Sequence, residues 1–214
     1  GEVEYRFLSL VGLDAAVVGN HEFDAGAFNF TKQAKEAARF PVLVSNYEWE
    51  DYRSPINNGP SNTTALYTQP YAIKNVGGLR VGIIGLGNIG SLNSIVEQGN
   101  SLQAIPLEQN EVVRGYVEFL RPAVDLIVLT SHAGLTEAQD LIEGYEAFYE
   151  WSIAKKFVQR PNWPWQLLEV FGDVDENGLP VSDTEIVRVQ IAGVEGIDAI
   201  LGGHLHIVLN PPQL

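Results

Sequence analysis

Asn20, His21, Glu22 and Asp24 stand together in the stretch Asp14–Gly26, DAAVVGNHEFDAG. An amide, an imidazole and two carboxylates this close can ligate a cation or move a proton. The chain holds four histidines, and the other three are placed in a similar way. His132 follows the apolar run Leu126–Thr130, while His204 and His206 follow the apolar run Ala199–Leu201 and two glycines. Each therefore falls just past a buried strand, where ligands of α/β sheets usually bind. Singly, each histidine reads as an ordinary core or surface residue; their common placement points to one shared site. Imidazole is the commonest protein ligand of first-row divalent metals, and an amide or carboxylate oxygen completes a mixed nitrogen and oxygen set. Asn20 offers its carbonyl oxygen without adding charge, which keeps a metal strongly Lewis-acidic. Strict alternation would send His204 and His206 to opposite faces, but a turn after Gly202-Gly203 lets both address neighbouring ions.

The elements that would carry these groups follow from periodicity. Ala15–Val18 reads as a short buried strand entering a turn at Gly19. Glu2–Gly12 and Phe28–Arg39 have near-helical spacing, and Val42–Ser45 reads as a strand opened by Pro41. Tyr71–Val76 and Leu79–Leu86 flank Gly77-Gly78, a two-residue hairpin signal. Glu108–Leu120 carries an apolar helical stripe broken by Pro122, and Asp125–Thr130 is a buried strand. Thr136 to about Gln159 reads as a long helix with an aromatic face of Tyr145, Phe148, Tyr149 and Trp151. Asp183–Ala192 alternates like a strand, and Ile197–Leu201 is the last one. Glu48–Thr64 reads as a surface loop and Arg160–Val181 as irregular. Strands alternating with helices indicate an α/β domain.

At 214 residues, with 45% hydrophobic and 10% aromatic residues, the chain is long enough for one full core. A net charge of −14 argues against nucleic acid or an anionic membrane as partner. It also suits an anionic substrate only if bound cations reverse the local sign. Cysteine is absent, which excludes disulfides and thiolate metal sites. No apolar run reaches the ~18 residues needed to cross a bilayer, and no signal-peptide pattern is present. The sequence opens abruptly inside an apparent helix, so a piece of something longer is expected.

GNHEFD (Gly19–Asp24), SHAGL (Ser131–Leu135) and GGHLH (Gly202–His206) resemble the motifs of the 5′-nucleotidase family of calcineurin-like metallophosphoesterases. The flanking GEVEYRFLSLVGLDAAVV, FPVLVSN and GIDAILGGHLH are similar to that family too. The resemblance covers most of 1–135 and 192–210. It leaves about 136–190 as an insert within a single partial catalytic domain, residues 1–214. It implies an α/β/β/α sandwich, two facing mixed sheets flanked by helices, incomplete at its N-terminal side. By position, Asn20, His132 and His204 look like ligands of one metal and His206 like a ligand of a second. His21 resembles the family's catalytic histidine and Asp24 its orienting partner. A cationic imidazole beside a phosphoryl group stabilises transition-state charge or protonates the leaving oxygen. The implied cofactors are two divalent ions, with zinc, manganese, iron or cobalt suited to such donors. The implied reaction is hydrolysis of a small phosphate ester, nucleotides included, by a hydroxide bridging the ions and attacking phosphorus in line. The family pattern also has an Asp-x-His and a bridging Asp in a Gly-Asp motif on its N-terminal side, and a C-terminal substrate-binding domain; neither motif precedes GNHEFD here, and the C-terminal domain is expected to lie outside this sequence. The chain is therefore expected to hold about half of a two-metal site, to bind metal weakly and, by itself, to show little or no activity. The missing N-terminal segment and C-terminal domain are its implied partners. Relatives are mostly exported, which implies a periplasmic or extracellular location.

Three other signals compete. Gly85-Leu-Gly-Asn-Ile-Gly90 fits the dinucleotide fingerprint after a strand, with Glu108 about 20 residues on, and gives the rival reading of an NAD-dependent oxidoreductase. Asp173–Gly178 resembles the start of a calcium loop, but Thr184 stands where such a loop needs Glu, and a polar turn is the plainer reading. Trp151, Trp163 and Trp165 read as a satellite core or a binding surface. A metal-free interaction or scaffold domain is the non-enzymatic alternative.

Overall fold

A computed structural model describes residues 2–24, 26–49, 67–88, 104–151, 155–159, 166–170 and 185–204. Helix α1 (Glu2–Leu10) leads to strand β1 (Ala16–Val17), a 3-10 turn at His21–Phe23, α2 (Gly26–Glu36) and β2 (Val42–Leu43). Then come β3 (Tyr47–Trp49), β4 (Tyr71–Val76), β5 (Leu79–Leu86), β6 (Ala104–Pro106), α3 (Gln109–Leu120) and β7 (Leu126–Ser131). The chain continues through α4 (Leu135–Glu143), β8 (Gly144–Trp151), β9 (Lys155–Gln159), β10 (Gln166–Val170), β11 (Glu185–Ala192) and β12 (Ala199–Gly202).

The principal sheet runs β12-β7-β5-β4. β12, β7 and β5 are mutually parallel, and β4 closes the edge antiparallel to β5. The β4–β5 turn is Gly77-Gly78, with φ of 59° and 90°, the left-handed conformation that a two-residue hairpin requires. β1 and β2 form a separate parallel pair, Ala16 opposite Val42, joined by the crossover helix α2. β2 lies against β5. Ser45 N–H donates to Gly85 O at 2.7 Å, and a Cβ placed on Gly85 would fall 2.4 Å from Leu43 Cβ. Only glycine fits at that crossing.

Two apolar cores lie on the outer sides of this contact. Tyr5 of α1 and Phe30 of α2 pack with Val18, Phe23, Phe40, Val42 and Val44. Val113, Val117 and Leu120 of α3 and Leu141 of α4 pack on Ile84, Leu86, Ile127 and Leu129 of the principal sheet. The order is therefore helices, β1–β2, principal sheet, helices: a metallophosphoesterase-type α/β/β/α sandwich. α3 starts on a strong cap, since Glu108 accepts from Asn110 N and Glu111 N. Asp198 accepts from Ile127 N at 2.6 Å and from Arg121 at 2.8 Å, which ties the approach to β12 onto β7.

The long helix expected from Thr136 to about Gln159 is corrected. The helix stops at Glu143 because Gly144 takes φ 80°, and β8 begins there. Tyr145, Ala147, Tyr149 and Trp151 alternate with polar and aromatic residues, so the same letters fit a strand. Pairing decides between the readings: β8 is antiparallel to β11 over its full length, from Gly144 opposite Ala192 to Trp151 opposite Glu185. The stretch expected to be irregular also contains β10, which joins the antiparallel sheet β10-β9-β8-β11. Tyr145 OH donates to Glu108 Oε1 at 2.7 Å, which anchors this second sheet to the start of α3. Trp163, Trp165, Asp173–Gly178 and His206 lie outside the described residues.

Candidate functional site

Parallel pairing sends the carboxyl ends of β5, β7 and β12 to one edge of the principal sheet, with Leu86 opposite Ser131 and Ser131 opposite Gly202. β1 packs across β5 and β7, and Gly19 and Asn20 emerge beside that edge. His132 follows β7 directly, and its N–H donates to Leu86 O at 2.9 Å. Beneath it lies a buried amide network. Asn46 accepts from Gly87 N at 2.8 Å and donates to Gly87 O at 2.9 Å. Asn88 Nδ2 donates to Ala133 O at 2.8 Å, and Tyr47 OH donates to Asn88 O at 2.5 Å. This network holds the exits of β2, β5 and β7 in register.

Asn20, His132 and His204 converge. His132 Nε2 is 3.0 Å from Asn20 Oδ1, across 112 positions of sequence. The His132 and His204 ring centroids are 5.1 Å apart, with planes inclined at 60°. His204 adopts φ 81° directly after the two glycines, so the backbone turns there as the sequence implied. Gly19 is required for the convergence: a Cβ on it would lie 2.8 Å from both Cδ2 and Nε2 of His132. His21, next to Asn20, is held differently. Its ring is exposed, and Nδ1 meets Asp24 Oδ2 at 2.7 Å.

The donor set fits a divalent metal. Two imidazoles and one amide oxygen are the neutral borderline ligands that zinc, manganese or iron accept. The 3.0 Å between Asn20 Oδ1 and His132 Nε2 matches two donors held at about a right angle ~2.1 Å from one ion. Among the described residues no three His, Asp or Glu side chains gather around one point. The convergence uses an amide instead of a third such group. Glu137 on α4 is a nearby acid whose carboxyl is held above its ordinary range, chiefly by burial and only partly offset by a backbone hydrogen bond.

The Gly85–Gly90 signal has a structural role where it is described. Gly85 sits inside β5 against Leu43, and the Gly87 backbone is engaged on both sides by Asn46. Glu108, the acid expected to hold a ribose, is a buried helix cap instead. Gly85 and Gly87 thus serve contact between β5 and the β2 exit, which gives the dinucleotide reading no support; Ile89 and Gly90 lie outside the described residues. Sequence reasoning gave no role to Glu22, Asn46 or Asn88. The Glu inside GNHEFD was the available signal for the first, and the amide network left none.

The α/β/β/α sandwich is a metallophosphoesterase-type fold. No protein-family model matches the chain. It is 38% identical over 85 residues to snake venom 5′-nucleotidase of Gloydius brevicauda, covering 40% of this chain and 13% of that protein. It is 30% identical over 142 residues to the 5′-nucleotidase of Vibrio parahaemolyticus, covering 66% of this chain and 20% of that protein. The solved NAD nucleotidase of Haemophilus influenzae shares the fold with a TM-score of 0.53 at 24% identity, over 67% of this chain and 26% of that one. The chain is thus similar in sequence to 5′-nucleotidases over part of its length. It spans about a fifth or less of the length of these curated relatives.

Proposed function

We propose that this protein is a metal-dependent phosphoric ester hydrolase of the 5′-nucleotidase type, acting on nucleotides. The observation that best supports this is the meeting of Asn20, His132 and His204 from three strand exits far apart in sequence. Those three would hold one divalent ion, and His206 would serve a second. When bound, the ions supply Lewis acidity toward the phosphoryl oxygens and activate water.

The chain's own residues supply the rest. Asp24 engages His21 Nδ1, which fixes the ring and leaves Nε2 to carry a proton toward a leaving or phosphoryl oxygen. The ring is 69% exposed, so a substrate reaches it without any opening of the fold. The overall charge of −14 repels a nucleotide, and cations at the donor cluster would reverse that locally. Relatives include a venom component, which supports an exported protein.

Phosphate release from AMP with Mn²⁺, together with Mn²⁺-induced broadening of histidine NMR signals, tests the reading. His132 and His204 signals are expected to broaden first, and His132→Ala to abolish the effect. His21→Ala is expected to lower kcat by about 10²–10⁴-fold while Mn²⁺ still broadens His132. Phosphate release insensitive to His132→Ala would overturn the proposal. Protein with no release and no broadening would favour a scaffold role.

A further inference from the structure

Glu22 lies at the centre of the site, yet neither the ligand set nor the acid–base pair uses it. It belongs to the 3-10 turn His21–Phe23, and its side chain folds back three residues to accept from Gly19 N at 2.6 Å. A short bond between an amide and an ionised carboxylate is among the stronger hydrogen bonds in proteins. Its place is unusual. A Cβ built on Gly19 would be 2.9 Å from Glu22 Oε2 and 2.8 Å from His132 Nε2. Both atoms close on the same small space from two sides.

Asn20 stands at the cap position of this turn, where asparagine commonly bonds the following backbone N–H groups. Here its side chain makes no capping bond. It points its oxygen at His132 Nε2, 3.0 Å away. Glu22 also reaches inward: after burial, its charge is the next cause holding the Tyr5 hydroxyl above its ordinary range. Tyr5 in turn stacks on Phe40 in the first core, with ring centroids 5.9 Å apart.

We propose that Glu22 is a positioning residue: its carboxylate clamps the Gly19 N–H and thereby holds the Asn20 side-chain oxygen on His132 Nε2. The proposal concerns the site read above as a metal centre, but its first readout needs no metal. Without the clamp, the Val18–Gly19 peptide loses its restraint, the backbone at Gly19 can turn, and Asn20 can cap its own turn. Gln at position 22 keeps an acceptor oxygen and should largely restore the arrangement, whereas Ala should not.

The test compares wild type, Glu22→Gln and Glu22→Ala of the full chain by NMR, first without metal. Glu22→Ala is expected to speed Gly19 amide exchange by about tenfold or more and to shift the Asn20 side-chain NH₂ and His132 ring signals. Glu22→Gln should bring all three back toward wild type. Mn²⁺ is then titrated, and Glu22→Ala should need several-fold more of it to broaden His132. If Gly19 exchange rises while the Asn20 and His132 signals stay at their wild-type positions, Glu22 is only a turn cap and the proposal falls. Mn²⁺ that fails to broaden His132 in wild type would count against the metal-site reading alone, because the metal-free signals judge Glu22 independently.

Discussion

Replacing Gly85 by alanine tests the layered architecture directly. The new Cβ would lie 2.4 Å from Leu43 Cβ, 2.7 Å from Leu43 C and 2.8 Å from Leu43 O. Ordinary carbon contacts are about 3.5–4.0 Å, so β2 and β5 must separate by roughly 1 Å at this point. No rotamer change relieves the overlap, because two of the three atoms belong to the Leu43 backbone. That backbone is also bound elsewhere, since Leu43 O accepts from Val18 N at 3.0 Å. Overpacking usually costs about 1–3 kcal/mol, and the upper end applies where backbone must move. For a chain of this size about 3 kcal/mol lowers Tm by roughly 6–12 °C. Two glycines serve as controls. At Gly82 the nearest atoms are Val124 side-chain carbons at 3.4 Å, so alanine there should change stability by less than about 1 kcal/mol. At Gly115, inside α3, nothing lies within 4 Å, and alanine should stabilise by about 1 kcal/mol through helix propensity. Thermal unfolding followed by circular dichroism reads all three. If Gly85→Ala melted together with Gly82→Ala, β2 would not rest on β5 and the two-sheet contact would be wrong.

Two further outcomes follow from single contacts. Gly19→Ala puts a methyl 2.8 Å from His132 Nε2; it should break the Asn20–His132 contact and raise the Mn²⁺ needed to broaden His132 by about tenfold, and unchanged Mn²⁺ dependence would refute the crowding argument. Asp198 is held below its ordinary range first by the Ile127 N–H and then by Arg121. Its contribution is therefore present above the ordinary carboxylate pKa and lost as pH falls through the lowered value, below about pH 4. Asp198→Asn should lower Tm at pH 7 and shrink the difference from wild type near pH 2; a difference constant with pH would contradict this.

The helix and strand periods of the first half were legible because each element there settles its own face. Gly77-Gly78 named its hairpin, and Glu108 to Leu120 announced a helix whose cap and buried stripe the structure displays. The gathering of Asn20, His132 and His204 could be guessed from their positions after strands, because parallel pairing sends such exits to one edge. What failed was local pattern without a partner. Tyr145 to Trp151 carries aromatics at spacings that satisfy a helix or a strand, and the choice was made by β11, dozens of residues later. The glycine-rich signal after β5 misled for the opposite reason: Leu43 occupies the space at Gly85, and Asn46 takes the hydrogen bonds of Gly87. Glu22 was visible as a carboxylate in GNHEFD. Its fold back onto Gly19 depends on a turn geometry that letters do not encode.

Gly144 standing opposite Ala192 means that the excursion carrying β8 to β11 departs and returns through one doorway. Among the described residues, adjacent strands β8 and β11 carry the excursion away from α4 and back toward β12, with Tyr145 adding a tie to Glu108. His132 and His204, which flank the detour, keep their spacing whether it is long or trimmed to a short turn. A large surface beside the candidate site can thus vary while the parallel strands that carry Asn20, His132 and His204 stay as they are.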